Sequence, residues 1–389
     1  MVPAQQRREM NIKGPGLVFK KTMVFLSPFL AFLAGYLCLE LFVLPVNYFN
    51  YGIWGSLRIG YLTDYIPGFF YPRMHLAAIE PGGDLANRAE SAIPKRMDFQ
   101  TDEYGFRNSV GKAPSCKIVI VGDSYAASGL CAQEMLTGVL GRKLHENIYS
   151  FAPSNMNDFL NQAAFQRYSP SIVIFCCVER NLRALCAPLA PLPPGGPGKG
   201  WVAPFFGKQW FQNFMVWLDR VLKLPGWHHF YWRIHENDAP KSLAALKTGP
   251  LLFLQGDAAR IDVPESFTER TADVVESYQK ALKERGIRFI VVPVPNKESV
   301  YYGFLAHKNP PIYLHKIIKA LKKRHIETID LQTVFEKAAQ GNKGYLYYPD
   351  DSHWNLAGIE VAANGLVPII ERLEADNQEN KKTNLSGKI

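Results

Sequence analysis

Two short stretches carry the residue types for acyl chemistry. Gly122-Asp123-Ser124-Tyr125 ends the apolar run that begins at Lys117, and Asp350-Asp351-Ser352-His353-Trp354-Asn355 precedes the last apolar-periodic segment. A serine hydroxyl is a poor nucleophile until a base removes its proton and a third group orients that base. Asp350 and Asp351 stand close enough to His353 in sequence for a carboxylate to hold the imidazole Nδ1–H and leave Nε2 for a hydroxyl. Each stretch also has a plainer reading. Asp123 or Ser124 would cap a following helix, and Ser352 or Asn355 would cap the last one beside a surface histidine. A serine at a helix start also meets unpaired N–H groups and the helix dipole, which favour a developing negative charge.

The elements that must position these residues are visible as periodicity. Apolar runs at 117–121, 148–152, 171–178, 287–294 and 326–331 predict strands buried on both faces. Helical patterns at 125–140, 156–168, 270–285, 311–323 and 355–373 lie between or after them. This alternation predicts an α/β fold with a mostly parallel sheet and helices on both sides. Ligands bind such sheets outside the carboxyl ends of the strands, and both stretches fall at that edge. The Pro/Gly-rich linker Ala187–Gly200 breaks the alternation and opens an expected insertion, 187–262, dense in aromatics over 201–235. That density suits a small core, an interfacial surface on a membrane, or a stacking platform for sugar rings. The expected division is an irregular lead-in at 47–110, a main domain at 111–375 and a polar, disordered tail at 376–389.

Composition narrows the class. The chain has 389 residues, 47% of them hydrophobic, enough for one large domain and an insertion. Its net charge of +9 is scattered, without the aromatic-interleaved basic stripe of a nucleic-acid binder. Arg7, Arg8, Lys13, Lys20 and Lys21 crowd the N-terminus, and from Met23 to Leu39 there is no charge. Segment 22–46 is therefore an expected transmembrane anchor, near the roughly 20 residues that cross a bilayer. The basic tail 1–21 belongs in the cytoplasm by the positive-inside rule, and no A-x-A cleavage site follows the apolar run. These features predict an uncleaved single-pass anchor with everything after about residue 48 outside the cytoplasm. Of the six cysteines, Cys38 lies in the anchor and five lie beyond it, with no C-x-x-C spacing. His228, His229 and His235 have no partner spacing that argues for a metal, and no cofactor is expected.

"VGDSYAASG" and "DDSHWN" resemble the SGNH, or GDSL-like, hydrolase superfamily. "GIRFIVVPVPNKESVYYGFL" and "YYPDDSHWNLAG" are similar to the proteins that O-acetylate alginate and related exopolysaccharides, which carry a DxHW motif and a vPvP-K-x-x-Y stretch. "DEYGFRNS", 102–109, resembles the lead-in to the catalytic strand of many bacterial members. Outside the insertion, the resemblance spans residues 100–373. It implies a three-layer, flavodoxin-like sheet with Ser124 as nucleophile, His353 as base and Asp351 as orienting acid. The ordinary superfamily spacing, DxxH, makes Asp350 the alternative acid. The Ser124 N–H would serve an oxyanion hole supported by Gly122 and Asp123, with Asn181 or the Arg180 of an "ER" pair contributing. Two features depart from the pattern. The DxHW segment follows the serine, whereas in the alginate-acetylating proteins it precedes it, and "SFAPSNMN" has no glycine after the second strand. Lys297 and Tyr302 either line the site or are a surface lysine and a packed tyrosine. The implied function is a membrane-anchored, periplasmic serine O-acetyltransferase acting on a polysaccharide, fed by a multi-spanning membrane acyltransferase. An esterase that removes acetyl groups, and a non-catalytic polysaccharide-binding assembly protein, are the alternatives.

Overall fold

A computed structural model of the chain describes residues 15–38, 68–79, 82–85, 93, 95–111, 116–161, 170–182, 186–190, 245–254, 264–306, 311–341 and 344–386, with a few isolated positions between them. The N-terminal apolar segment is helix α1 (Pro15–Cys38), begun by a proline whose missing N–H is no loss in a first turn. Its stretch Phe19–Cys38 is long and apolar enough to cross a membrane, and none of it is buried against the rest of the chain. The helix starts earlier than the expected span, whose residues 39–46 lie outside the described ones, as does the basic tail up to residue 14.

The lead-in differs from the expectation of irregular chain. Strands β1 (His75–Ile79) and β2 (Met97–Gln100) pair antiparallel, with Leu76 opposite Phe99. Unlike β3, which is as short but wholly apolar, β1 and β2 are interrupted by His75, Asp98 and Gln100, so no apolar run marks them.

The main domain follows in the order β3 (Ile118–Gly122), α2 (Leu136–Leu144), β4 (Ile148–Phe151), α3 (Met156–Asn161) and β5 (Ile172–Val178). It continues with β6 (Ala245–Thr248), β7 (Leu251–Leu254), α4 (Glu265–Glu284), β8 (Arg288–Val294) and α5 (Lys297–Val300). Helix α6 (Tyr313–Lys323), strand β9 (Glu327–Thr328) and helices α7 (Leu331–Gly341) and α8 (Leu356–Ser386) complete it. The five-stranded sheet has the order β4-β3-β5-β8-β9, parallel throughout. Counted along the chain this is the flavodoxin-like order, whose switch point lies between β3 and β5. Successive residues of β3 serve opposite faces, as the period of two demands. Ile118 and Ile120 pack in the core under α7 and α8, while Val119 and Val121 pack in the core under α3, α4 and α6. The fold is thus the expected three-layer α/β arrangement.

Two boundaries depart from the sequence reading. Hairpin β6–β7 lies in the range expected as an insertion, yet Leu251 and Phe253 are buried in the main core. The aromatic stretch 201–235, with its three histidines, lies almost wholly outside the described residues. Helix α8 runs to Ser386, where a disordered tail was expected from 376. An established helix propagates through Glu, Gln, Asn and Lys without a new nucleation cost, and neither Pro nor Gly intervenes between 376 and 386.

Candidate active site

The switch point fixes the serine. Gly122 closes β3 against β5, so tightly that a Cβ there would sit 1.7 Å from the Cys176 carbonyl oxygen. Ser124 follows in a turn held by Ala126 N–H donating to the Asp123 carbonyl at 3.1 Å. The helix expected from residue 125 begins only at Leu136, which corrects the helix-start reading of the serine. The carbonyls that would start its ladder are taken by side chains. Arg107 Nη1 donates to the Ala127 and Gly129 carbonyls at 2.8 Å each, and Trp354 Nε1 donates to the Tyr125 carbonyl at 3.1 Å. Ser124 therefore receives no helix dipole. Among the described residues its N–H has no acceptor, which leaves it to face a ligand. Asp123 caps no helix. Its Oδ1 accepts Tyr125 N–H at 2.9 Å, and its Oδ2 accepts Val178 N–H at 2.9 Å and Asn181 Nδ2 at 3.0 Å, tying the turn to the end of β5.

The second stretch forms a narrow loop closed by a bridge between Tyr347 and Trp354. Asp351 Oδ1 lies 2.7 Å from His353 Nδ1 and also accepts His353 N–H at 2.9 Å. His353 Nε2 lies 2.7 Å from Ser124 Oγ. These partners impose one tautomer, with Nδ1–H donating to Asp351 and Nε2 accepting from the serine hydroxyl. The Tyr125 ring covers the imidazole at 4.8 Å between centroids. Burial works against the charge on both groups, and their mutual attraction outweighs it. Beside Asp351, His353 is raised above its usual 6.5; beside His353, Asp351 is held well below the usual carboxylate range.

Asp350 turns the other way. Its Oδ2 accepts Gly83 N–H at 3.1 Å, Ile93 N–H at 2.8 Å and the Lys95 ammonium at 2.8 Å. The carboxylate is structural, and the DxxH alternative has no geometric support. Lys297, weighed as a surface lysine, is fully buried and donates to the carbonyls of Tyr348, Pro349 and Asp351 at 2.7, 2.9 and 3.1 Å. Burial pushes its ammonium down to about 8. It clamps the loop from beneath; Tyr302 is half-buried in the turn that follows α5.

On the rim, Arg180 Nη2 donates to Ser352 Oγ at 2.9 Å, and its guanidinium lies over the Tyr125 ring. Asn181 keeps its amide on Asp123 at the end of β5. One neighbour escaped the sequence reading. Asp84, on the lead-in, accepts Ser352 N–H at 2.6 Å, and its Oδ2 lies 3.7 Å from His353 Nδ1. No periodicity marks it; the only local signal is the Gly82-Gly83 pair before it. Partial burial and the Asp351 charge push Asp84 up to about 6, against the pull of His353. Asp84, Asp351 and His353 bring ligand-type atoms within 4.8 Å of one another. Both imidazole nitrogens are already engaged by Ser124 and Asp351, so the donor set suits proton transfer better than a metal. All six cysteines are free thiols, and Cys177 Sγ rests 3.7 Å from Asp123 Oδ2.

Residues 252–388 match the family model described as an SGNH hydrolase-like domain, acetyltransferase AlgX. The chain is similar to SGNH hydrolases of the AlgX type. The matched part holds β8, Lys297, Asp351 and His353; Ser124 lies upstream of it. Among solved structures, LAE5, an alpha/beta hydrolase enzyme from the metagenome of Lake Arreo, is 13% identical over 66% of this chain and 94% of its own, with a TM-score of 0.33. A lipase/acylhydrolase from Enterococcus faecalis is 12% identical over 65% of this chain and 94% of its own, with a TM-score of 0.31. No curated protein matches.

Proposed function

We propose that the chain is a membrane-anchored, extracytoplasmic serine O-acyltransferase that acetylates a polysaccharide through an acyl-serine intermediate. The observation that carries this is the pair of 2.7 Å contacts joining Ser124 Oγ, the His353 ring and Asp351. His353 Nε2 takes the hydroxyl proton as Ser124 Oγ attacks the acyl carbonyl. Asp351 holds the imidazolium, and the Ser124 N–H faces the developing oxyanion, while Asn181 holds the serine turn through Asp123. The leaving oxygen takes the proton from His353, and acetyl stays on the serine. A sugar hydroxyl then gives its proton to His353 and attacks the acyl-serine, releasing the O-acetyl sugar and restoring Ser124.

Acetyl transfer is supported by the AlgX acetyltransferase model that residues 252–388 match, and a carbohydrate acceptor by the resemblance of the PVPNKESVYY and DDSHWN stretches to the alginate-acetylating proteins. The unburied apolar helix α1, with Arg7, Arg8 and Lys13 before it and Lys20 and Lys21 near its start, supports an inner-membrane anchor with a cytoplasmic N-terminus. An acyl donor must then cross the membrane, so a multi-spanning acyltransferase is the partner that would load Ser124. Transfer requires a sugar hydroxyl to outcompete water, which held attack geometry provides at effective molarities of ~10⁵ M or more. The experiment loads Ser124 from a chromogenic acetyl ester and adds glycan fragments of increasing length. Acetate release should give way to acetylated glycan as the fragments lengthen. Acetate as the sole product with every glycan, together with ready stripping of pre-acetylated glycan, would establish an esterase instead.

A further inference from the structure

Asp84 stands on a different segment from Ser124 and from the histidine loop, yet it is bound into the same hydrogen-bond chain. Its Oδ1 accepts Ser352 N–H at 2.6 Å, and its Oδ2 accepts the Ser352 hydroxyl, which in turn receives Arg180 Nη2 at 2.9 Å. The same Oδ2 lies 3.7 Å from His353 Nδ1, where Asp351 Oδ1 holds the near position at 2.7 Å. The Asp84 segment is fastened to the loop on both sides. Gly83 N–H donates to Asp350 Oδ2 and Leu85 N–H to the Asp350 carbonyl, each at 3.1 Å. Gly83 itself leaves no space for a side chain, since a Cβ there would lie 2.0 Å from the Asp350 carbonyl oxygen. A loop that merely passed by would need none of these contacts.

We propose that Asp84 is a positioning residue for the His353 base: it fixes Ser352 so that the ring faces Ser124, and it holds a second carboxylate in reserve behind Asp351. This rests on the acyl-serine reading and extends it. When the ring gains the serine proton, two carboxylates face the resulting charge. With Asp351 neutralised, a shift of about 1 Å would bring Asp84 to a charge-assisted hydrogen bond with Nδ1. The charged and titratable groups facing this pair are Asp351 on the loop, Arg180 after β5, Tyr125 on the serine turn and Lys297 of α5.

The test is turnover of p-nitrophenyl acetate by the full-length protein in detergent across pH 5 to 9. The variants are Ser124→Ala, Asp84→Asn, Asp84→Glu, Asp351→Asn and the Asp84→Asn/Asp351→Asn pair. Asp84→Asn should lower kcat ~10-fold and move the acid limb down by about one pH unit, because the imidazolium loses a negative neighbour. Asp84→Glu should restore the position of the limb. Asp351→Asn should keep ~10²-fold more activity than the double variant, whose loss then exceeds the product of the single losses. If Asp84→Asn does not fold, Asp84→Ser, which still bonds Ser352 without a charge, should show the same limb shift. An unmoved limb in the folded variant, or an Asp351→Asn protein as inactive as the double, overturns the role of Asp84. Undiminished turnover by Ser124→Ala would instead overturn the acyl-serine reading beneath it.

Discussion

Asp350→Asn and Asp351→Asn remove the same charge one residue apart, and their surroundings make them fail in different experiments. The Asp350 side chain is 2% exposed and faces the Lys95 ammonium, whose side chain is 8% exposed. Asparagine keeps an acceptor for Gly83 and Ile93 but leaves that ammonium buried without its countercharge. Breaking a buried pair in this way costs ~3–5 kcal/mol. For a domain of this size each kcal/mol lowers Tm by ~2–4 °C, so the expected drop is roughly 6–20 °C. Asp350 touches neither His353 nor Ser124, and below its melting transition the variant should keep kcat within ~10-fold of wild type. Asp351→Asn does the opposite. An amide N–H against Nδ1 forces the proton onto Nε2, which then no longer accepts from Ser124, and kcat should fall by ~10²–10⁴-fold, the smaller loss applying where Asp84 substitutes. Its Tm should move by a few degrees at most. The assay pairs near-UV circular dichroism melts with burst-phase acylation by p-nitrophenyl acetate. An Asp351→Asn protein with near-normal acylation, alongside an Asp350→Asn protein that melts normally and is inactive, would refute the assignment and restore the DxxH geometry.

The pH dependence has a defined sign. His353 is raised above 6.5 when folded, so its contribution to stability is complete below 6.5 and lost as pH rises through the folded value. Asp351 is depressed, so its contribution is present above the usual carboxylate range and lost only in strong acid. A base must be neutral, so the acid limb of kcat/KM should lie above 6.5, and Asp351→Asn should shift it downward in a stopped-flow pH profile. Arg107→Met should strand the Ala127 and Gly129 carbonyls at ~1–3 kcal/mol each, lowering both Tm and, through the loosened serine turn, kcat. A reporter fused after Ile389 should be active only outside the cytoplasm, and a cytoplasmically active fusion would overturn the anchored topology.

The sheet was legible because β3, β5 and β8 are buried on both faces and read as unbroken apolar runs. Ser124 stood out because it sits in a short polar interruption just past a strand, and His353 because it sits in one just before the last helix; the fold brings them to 2.7 Å. Adjacent aspartates could not be separated by spacing alone; the bridge between Tyr347 and Trp354 turns one inward and the other toward Lys95. The helix start expected near Ser124 fails because Arg107, a remote residue with no periodic signature, takes its carbonyls. Lysines are almost always exposed, and no sequence signal marks Lys297 as the exception that three loop carbonyls hold buried. Asp84 and Lys95 come from a lead-in whose short strands are broken by polar residues and form no apolar run.

Ser124 and His353 are separated by 229 residues of chain, and Asp84 and Ser352 by 268. A polypeptide emerging N-terminus first completes its serine strand long before its imidazole has been synthesised. Through that interval the hydroxyl is an ordinary alcohol, without the base that would activate it. The delay needs no propeptide and no inhibitor, because it is written into the order of the chain. By the same token, a protease that removes the segment after β8 disarms whatever remains, so degradation fragments carry no stray reactivity.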